Sequence, residues 1–404
     1  MPKGTKHVLT THKPRTIFLV TGDVSGDQNG GRLAAAIREA APDVRLVGAG
    51  GAAMREAGIE MAIETTQFSV VGFFDALRIG KHLLRTYRRV QAQVKALQPD
   101  VVILIDSETV AVPFARWLRR QRLPVVFFFP PQVWLWGRWR LNWVQPLARR
   151  VISAFRPEAD LYQGAGADTV WVGHPLADVV HVREDTTAAL RDIGLDPARA
   201  LVALMPGSRR REIKALVAPI LETARRLQAR DPALQFALPL ASEAFRAEIQ
   251  EGVRRSGVRD LVVYRPRSYA VLSRAQVVIQ CSGTASLETA LLGIPSVIAY
   301  RCNLLEYVVA RYAFMHVDYI GMPNILLGEM VQPEFFNKHV DADHLADAAW
   351  SLLTDQRRRR AIQSRLAEIR QQLGSSGVFP RAAQAVLDLL PEAANGAQPR
   401  ALAG

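Results

Sequence analysis

Apolar runs of four or five residues, rich in Val, Ile and Phe, recur along the chain and alternate with stretches of helical period. In the first half they are TIFLV (Thr16–Val20), RLVG (Arg45–Gly48), VVILI (Val101–Ile105), VVFFF (Val125–Phe129) and TVWVG (Thr169–Gly173). In the second half they are LVALM (Leu201–Met205), QFALP (Gln235–Pro239), LVVY (Leu261–Tyr264), VVIQC (Val277–Cys281) and SVIAY (Ser296–Tyr300). Continuous apolar strands separated by helices predict parallel sheets covered on both faces. Ten strands in two sets of five predict an α/β fold of two Rossmann-like domains facing across a cleft. The domains are placed at residues 15–180 and 195–374, and the last helix, about 375–392, could pack back on the first domain. The linker lies within His174–Ala200.

In such sheets ligands meet the loops at the carboxyl ends of the strands. The loops in that position are GDVSGDQNGG after the first strand, DSETVAVP after Ile105, PPQVWLWG after Phe129, PGSRRRE after Met205 and SGTASLE after Cys281. Ser282, Gly283 and Thr284 precede a helix expected to start near Ala285, so its first amides could bind phosphate. Glu288, one turn in, could reach ribose hydroxyls; a capping box explains the same residues equally well. In PGSRRREI, Gly207 and Ser208 precede another helix, Arg209 can pair with a diphosphate, and Glu212 is counted with the site. Neither a Walker A spacing nor GxGxxG is present, so a nucleoside diphosphate is favoured over a dinucleotide. Asp106 directly follows a buried strand, where an acid can take a proton from a hydroxyl nucleophile; a loop-initiating Asp is the plainer alternative. The DADH stretch (Asp341–His344) reads as a helix cap, and the eight histidines form no pair at metal-ligand spacing.

Composition narrows the setting. The chain has 404 residues, enough for two or three domains, and 49% hydrophobic residues, a globular balance. Two cysteines allow no disulfide framework, which suits a reducing compartment. No long apolar run predicts a membrane span, the basic first residues lack a signal-peptide core, and a cytoplasmic location is expected. A net charge of +13 points to a polyanionic partner. Nucleic acid is not expected, because no zinc spacing or aromatic-basic RNA signature occurs. The basic amphipathic segment Ser69–Val90 suits anionic lipid as well as it suits ordinary packing. Trp134, Trp136, Trp139 and Trp143 stand beside arginines and suit an apolar pocket or an interface, or a second core cluster.

Taken together, GDVSGD, VGAGGAAM, SVVG, PPQVWLW, VGHPLAD, PGSRRREI, SGTASLETALLGIPSVIAYR and YIGMPNILLGEMVQPEFFN, in this order, resemble the lipid-A-disaccharide synthase family, glycosyltransferases of the two-Rossmann (GT-B) type. The resemblance runs from about Thr16 to Leu390. It implies that UDP-2,3-diacylglucosamine donates its sugar, with inversion, to the 6-hydroxyl of 2,3-diacylglucosamine 1-phosphate. It implies no cofactor or metal, and action at the cytoplasmic face of an anionic inner membrane. By that resemblance Asp106 is the general base, Arg209 and Ser282, Gly283 and Thr284 hold the diphosphate, and Glu288 meets ribose. Asn324 lies near the sugar nucleotide, and Ser25, Gly26 and Asp27 meet acceptor or donor sugar, with Asp27 available for hydroxyl bonds. The oligomeric state stays open, with a homodimer among the alternatives.

The chain departs from the family pattern mainly in its first half. Asp23 stands where Glu is usual, SETVA follows Asp106 where Pro-Asp-Phe-Asn is usual, and PPQ precedes the Trp pair in place of a serine-rich segment. Arg210 replaces a commonly small residue. A paralogue with another acceptor, another GT-B enzyme such as a UDP-N-acetylglucosamine transferase or epimerase, and a non-catalytic UDP-sugar or lipid binder are the alternatives.

Overall fold

The computed structural model describes residues 14–65, 73–106, 108–302 and 317–391, with backbone only at 73–83 and 108–110. The chain divides into two compact units. The first takes the chain up to Val133, Arg138–Val172 and the chain from Gly377; the second takes Trp134–Gly137 and Gly173–Ser376.

In the first unit seven parallel strands run in the order β3-β2-β1-β4-β5-β6-β7. They are β1 (Thr16–Thr21), β2 (Arg45–Gly50), β3 (Glu60–Glu64), β4 (Val101–Ile105), β5 (Val125–Phe128), β6 (Arg150–Ser153) and β7 (Thr169–Trp171). In the second unit six parallel strands run β10-β9-β8-β11-β12-β13. They are β8 (Leu201–Met205), β9 (Gln235–Pro239), β10 (Leu261–Tyr264), β11 (Val277–Cys281), β12 (Ser296–Tyr300) and β13 (Glu334–Phe336). Three of these exceed the ten read from the sequence. β3 and β13 are sheet edges whose glutamates interrupt the apolar pattern, and β6 is four residues long with only Val151 and Ile152 apolar. Two or three apolar residues bounded by charge are too short a run to stand out as a strand.

The two sheets are wound alike. The chain adds strands outward from β1 through β3 on one side and from β4 onward on the other. In the second unit the reversal falls between β8 and β11, which pair from Val277↔Val202 to Gln280↔Met205. At such a reversal the loops leave in opposite directions and open a crevice at the carboxyl ends. The central strands are almost wholly buried, with Ile17, Phe18, Leu19, Ile103, Ile105, Val202, Leu204 and Ile279 all at 0% exposure. That burial anchors the loops that follow them.

The stretch after β1 is not a loop. Helix α1 (Val24–Ala40) begins three residues past the strand, with Asp23 as its N-cap accepting the Gly26 amide at 2.6 Å. A Cβ on Gly26 would stand 2.0 Å from Thr21 Oγ1, so only glycine lets the helix start this close to the strand. One turn on, Asp27 is 5% exposed. Its Oδ1 accepts the amides of Gly51 at 2.7 Å and Met54 at 3.2 Å, and its Oδ2 accepts that of Ala53 at 2.9 Å. These are the first amides of helix α2 (Ala52–Glu56), which has no cap of its own. The expectation that Asp27 bonds sugar hydroxyls is therefore corrected: its carboxylate caps a neighbouring helix from the buried side.

The last helix, Val378–Leu387, packs on α1 within the first unit. Arg381 donates to the Val172 carbonyl at 2.7 Å, and Arg150 to the Ala385 carbonyl at 2.9 Å. The Phe128 and Phe379 rings meet edge to face at 6.5 Å.

Asp27→Ala leaves three helix-start amides without their acceptor. It is expected to lower folding stability by about 3 kcal/mol, read as a shift in urea unfolding. A loss below about 0.5 kcal/mol would contradict the capping role.

Candidate functional site

In the second unit the loops after β8 and β11 meet in a cavity of about 390 Å³. Gly207, Ser208, Arg209 and Glu212 line one side; Cys281, Ser282, Gly283, Thr284 and Glu288 line the other. The first loop turns at Gly207, whose φ of 121° lies in the region that favours glycine. A Cβ there would also stand 2.6 Å from Glu212 Oε2. Glu212 sits one turn into helix α5 (Arg210–Arg230) and reaches back to the loop. Its Oε2 accepts the amides of Ser208 at 2.9 Å and Arg209 at 3.1 Å, and its Oε1 pairs with the Arg209 guanidinium at 3.2 Å. The carboxylate thus shapes the loop and aims Arg209. Glu212, counted with the site from the sequence, here uses its oxygens on Ser208 and Arg209. Arg209 keeps 83% of its side chain exposed and is open to a ligand.

Across the cavity helix α6 (Thr284–Leu291) starts at Gly283 with no side-chain cap. The capping box offered as the alternative does not form. The first amides stand uncapped beside an exposed glycine at the cavity wall, which is how a helix N-terminus receives phosphate oxygens. Ser282 contributes backbone shape: its amide donates to the Ala299 carbonyl at 3.1 Å and its hydroxyl to the Ile320 carbonyl at 2.5 Å. Glu288 is half-buried and bonded to Tyr269, and burial raises its pKa above the usual carboxylate range. The Cys281 thiol is pushed up to about 12, mainly by burial and then by the Glu212 carboxylate, so it stays protonated at neutral pH.

Asn324 does not face this cavity as an open ligand group. It is 0% exposed in helix α7 (Met322–Leu327). Its Nδ2 donates to the Gln332 carbonyl at 2.8 Å and to Glu334 Oε1 at 2.6 Å, and its Oδ1 accepts the Gln332 amide at 2.9 Å. The expected contact with sugar nucleotide is replaced by a buried network. Its centre is Glu334, which the sequence reading did not single out. Glu334 accepts the amides of Ile320 at 2.9 Å and Gly321 at 2.8 Å, and burial outweighs these bonds to raise its pKa. The Ile320 carbonyl in turn holds Ser282. A charged residue inside the short run PEFF was the available signal.

In the first unit the carboxyl ends of β1 and β4 bring Asp23, Ser25 and Asp106 together. Ser25 Oγ lies 2.7 Å from Asp106 Oδ2 and 3.1 Å from Asp23 Oδ1. Asp106 has φ of 51°, a left-handed conformation that Asp tolerates better than most residues. Its amide donates to the Phe128 carbonyl at 3.2 Å. The SVVG motif, Ser107 and the side chains of Phe73, Phe74, Leu77, Arg78, Lys81 and Leu83 lie outside the described residues. Helix α3 (Phe73–Leu97) continues with Leu84, Arg85, Arg88 and Arg89 exposed. Of the four tryptophans, Trp139 and Trp143 are exposed at 44% and 43%, and their rings meet at 4.3 Å. Asp341 caps the helix Ala342–Thr354 through the amides of Asp343 and His344, as expected for DADH.

The family described as lipid-A-disaccharide synthetase matches residues 17–388. The lipid-A-disaccharide synthase of Geobacter sulfurreducens is 36% identical over 382 residues, which cover 95% of this chain and 99% of that one. Among solved structures, the glycosyltransferase of kitacinnamycin superposes with a TM-score of 0.62 at 19% identity, covering 94% and 100% of the two chains. The UDP-GlcNAc 2-epimerase of Neisseria meningitidis, solved bound to UDP-GlcNAc, superposes with a TM-score of 0.61 at 11% identity, covering 92% and 99%. At these identities the structures establish a shared fold only.

Glu334→Gln replaces one acceptor oxygen with an amide that faces a backbone N–H. It is expected to displace the segment that holds Ser282 and to weaken UDP binding by about tenfold, or ~1.4 kcal/mol, in calorimetry. Unchanged affinity would show that the buried network does not hold the β11 loop.

Proposed function

Because the chain belongs to the lipid-A-disaccharide synthetase family, and is a hexosyltransferase that forms the lipid A disaccharide from a UDP-sugar donor and a sugar acceptor, we propose that the donor's diphosphate is held in the cavity of the second unit and that Asp106 of the first unit is the general base. The donor is UDP-2,3-diacylglucosamine and the acceptor 2,3-diacylglucosamine 1-phosphate. The observation that carries the reading is the uncapped start of α6 opposite Arg209 in one cavity.

The chemistry follows from where charge moves. The acceptor 6-hydroxyl attacks the anomeric carbon of the donor from the face opposite the diphosphate. Its O–H proton passes to Asp106 as the O6–C1 bond forms. The bond from C1 to the diphosphate oxygen breaks, and the electron pair leaves with UDP, so the configuration inverts. Negative charge grows on the departing diphosphate, and Gly283, Thr284 and Arg209, which line the cavity, supply the amides and guanidinium to stabilise it. Glu288 lines the same wall, which supports its reading as the contact to ribose hydroxyls. The first unit carries the acceptor side and the second the donor side.

An anionic membrane surface is the second partner, with the protein held peripherally at the cytoplasmic face. The Arg116 guanidinium lies 5.6 Å from the Trp143 ring. Arg116, Arg119 and Arg120, on helix α4 (Glu108–Arg120), line an open depression of about 440 Å³ with Trp143. Exposed indole beside guanidinium matches the boundary between acyl chains and anionic headgroups. No helix among the described residues is long and apolar enough to cross a membrane.

With both diacyl substrates supplied and a chelator present, the protein is expected to release UDP and form the disaccharide. Asp106→Ala should lower kcat by about 10²–10⁴-fold while still binding UDP. UDP binding without disaccharide from the parent would overturn the acceptor assignment, and full activity in the variant would overturn the base. In vesicle sedimentation, binding should require anionic lipid and weaken with salt. Replacing Arg116, Arg119 and Arg120 by Ala should cost about a hundredfold, at ~1 kcal/mol per arginine. Indifference to lipid charge, or equal binding by the variant, would remove this face as the contact.

A further inference from the structure

The Asp23–Ser25–Asp106 cluster holds more than a base. A serine hydroxyl has one hydrogen, and here two carboxylates accept from the same oxygen's range, at 2.7 Å and 3.1 Å. The hydrogen can serve only one of them at a time. Asp23 is itself fixed, because its Oδ1 accepts the Gly26 amide as the N-cap of α1. Ser25 is fixed by its place in the first turn of that helix. Asp106 sits in a left-handed backbone conformation at the end of β4, which persists only where surrounding contacts determine it.

We propose that Ser25 is a positioning residue that follows the reaction's proton: its hydroxyl donates to Asp106 while that carboxylate is ionised, and turns its hydrogen to Asp23 once Asp106 is protonated. The inference rests on the reading of Asp106 as general base. Before the attack the Ser25 hydroxyl, across the shorter distance, donates to Asp106 Oδ2 and holds the carboxylate in line. When the acceptor's proton arrives on Asp106 Oδ2, the oxygen 2.7 Å from Ser25 Oγ, the new O–H turns to donate to Ser25, whose oxygen changes from donor to acceptor. The freed hydrogen turns to Asp23 Oδ1. No proton is gained or lost by Ser25, and the acceptor's proton remains on Asp106. Asp23 therefore supplies a standing acceptor that makes the turn cost little, and the Ser25–Asp106 hydrogen bond persists in both protonation states. The carboxylate is not left to rotate away at the moment it takes the proton.

The test compares Asp106→Asn, Ser25→Ala and Ser25→Thr in the full chain, with kcat and both KM values measured and folding checked by urea unfolding. Alanine suits the first turn of a helix, so Ser25→Ala should fold. Ser25→Ala is expected to lower kcat by about 30-fold with both KM values within about twofold of the parent. Ser25→Thr, which keeps the hydroxyl, should recover kcat to within about threefold. If Asp106→Asn is inactive while Ser25→Ala keeps the parent's kcat, this inference fails and the base stands. If Ser25→Ala loses activity through a raised KM or lost stability, and Thr does not restore it, Ser25 is structural only and the inference fails. If Asp106→Asn retains full kcat, the base reading and this inference fail together.

Discussion

The reversal of winding between neighbouring parallel strands governs this molecule. It falls between β1 and β4 in one unit and between β8 and β11 in the other. At each reversal two chains leave the sheet side by side at their carboxyl ends and turn in opposite directions, so their loops cannot cover each other. In the second unit the reversal presents Gly207–Arg209 and Gly283–Thr284 to one cavity. In the first it brings Ser25 within hydrogen-bond distance of Asp106, 81 residues away. The central strands are buried and close-packed, so these loops start from fixed points.

Much of the polar chemistry around the sites supports backbone and does not face a ligand. Asp27, Glu212, Asn324 and Glu334 each use their oxygens or amide on loop and helix-start groups. Each bond of this kind removes an alternative loop geometry, and a buried acceptor left without its donor is costly. The result is preorganisation: α6 keeps its first amides uncapped while the segment around it is held from behind by Ser282, Ile320 and Glu334. Stability is placed in the support and openness in the contact surface.

Fold class was legible because parallel strands buried on both faces leave continuous apolar runs, such as VVILI and LVALM. Strands that lack two buried faces, such as EMAIE and EFF at the sheet edges, left no such signal. At the sites, residue type and position after a strand identified Asp106, Arg209 and the Gly283 loop as candidates, because ligands meet the loops at the carboxyl ends of parallel strands. Direction was not legible. Asp27 and Ser25 lie two residues apart in one motif, yet one carboxylate turns inward to α2 and the other side chain reaches Asp106. Helical rotation separates them by about 200°, at about 100° per residue. That separation becomes visible only once the helix is known to begin at Val24. Glu334 was hidden for a different reason: its partners at Ile320, Gly321 and Asn324 are set by tertiary contact and have no local sequence pattern.

In the proposed reading an uncapped helix start, with Arg209 opposite, receives the donor's diphosphate. The most direct measurement is backbone hydrogen exchange of the full chain with and without saturating UDP. Slowed exchange is expected at the amides of Gly283, Thr284 and Ala285, which lack a side-chain cap in the free protein. The amides of Ser208 and Arg209, already held by Glu212, should change little. Binding of UDP with no added protection at Gly283–Ala285 would contradict the claim and place the diphosphate elsewhere.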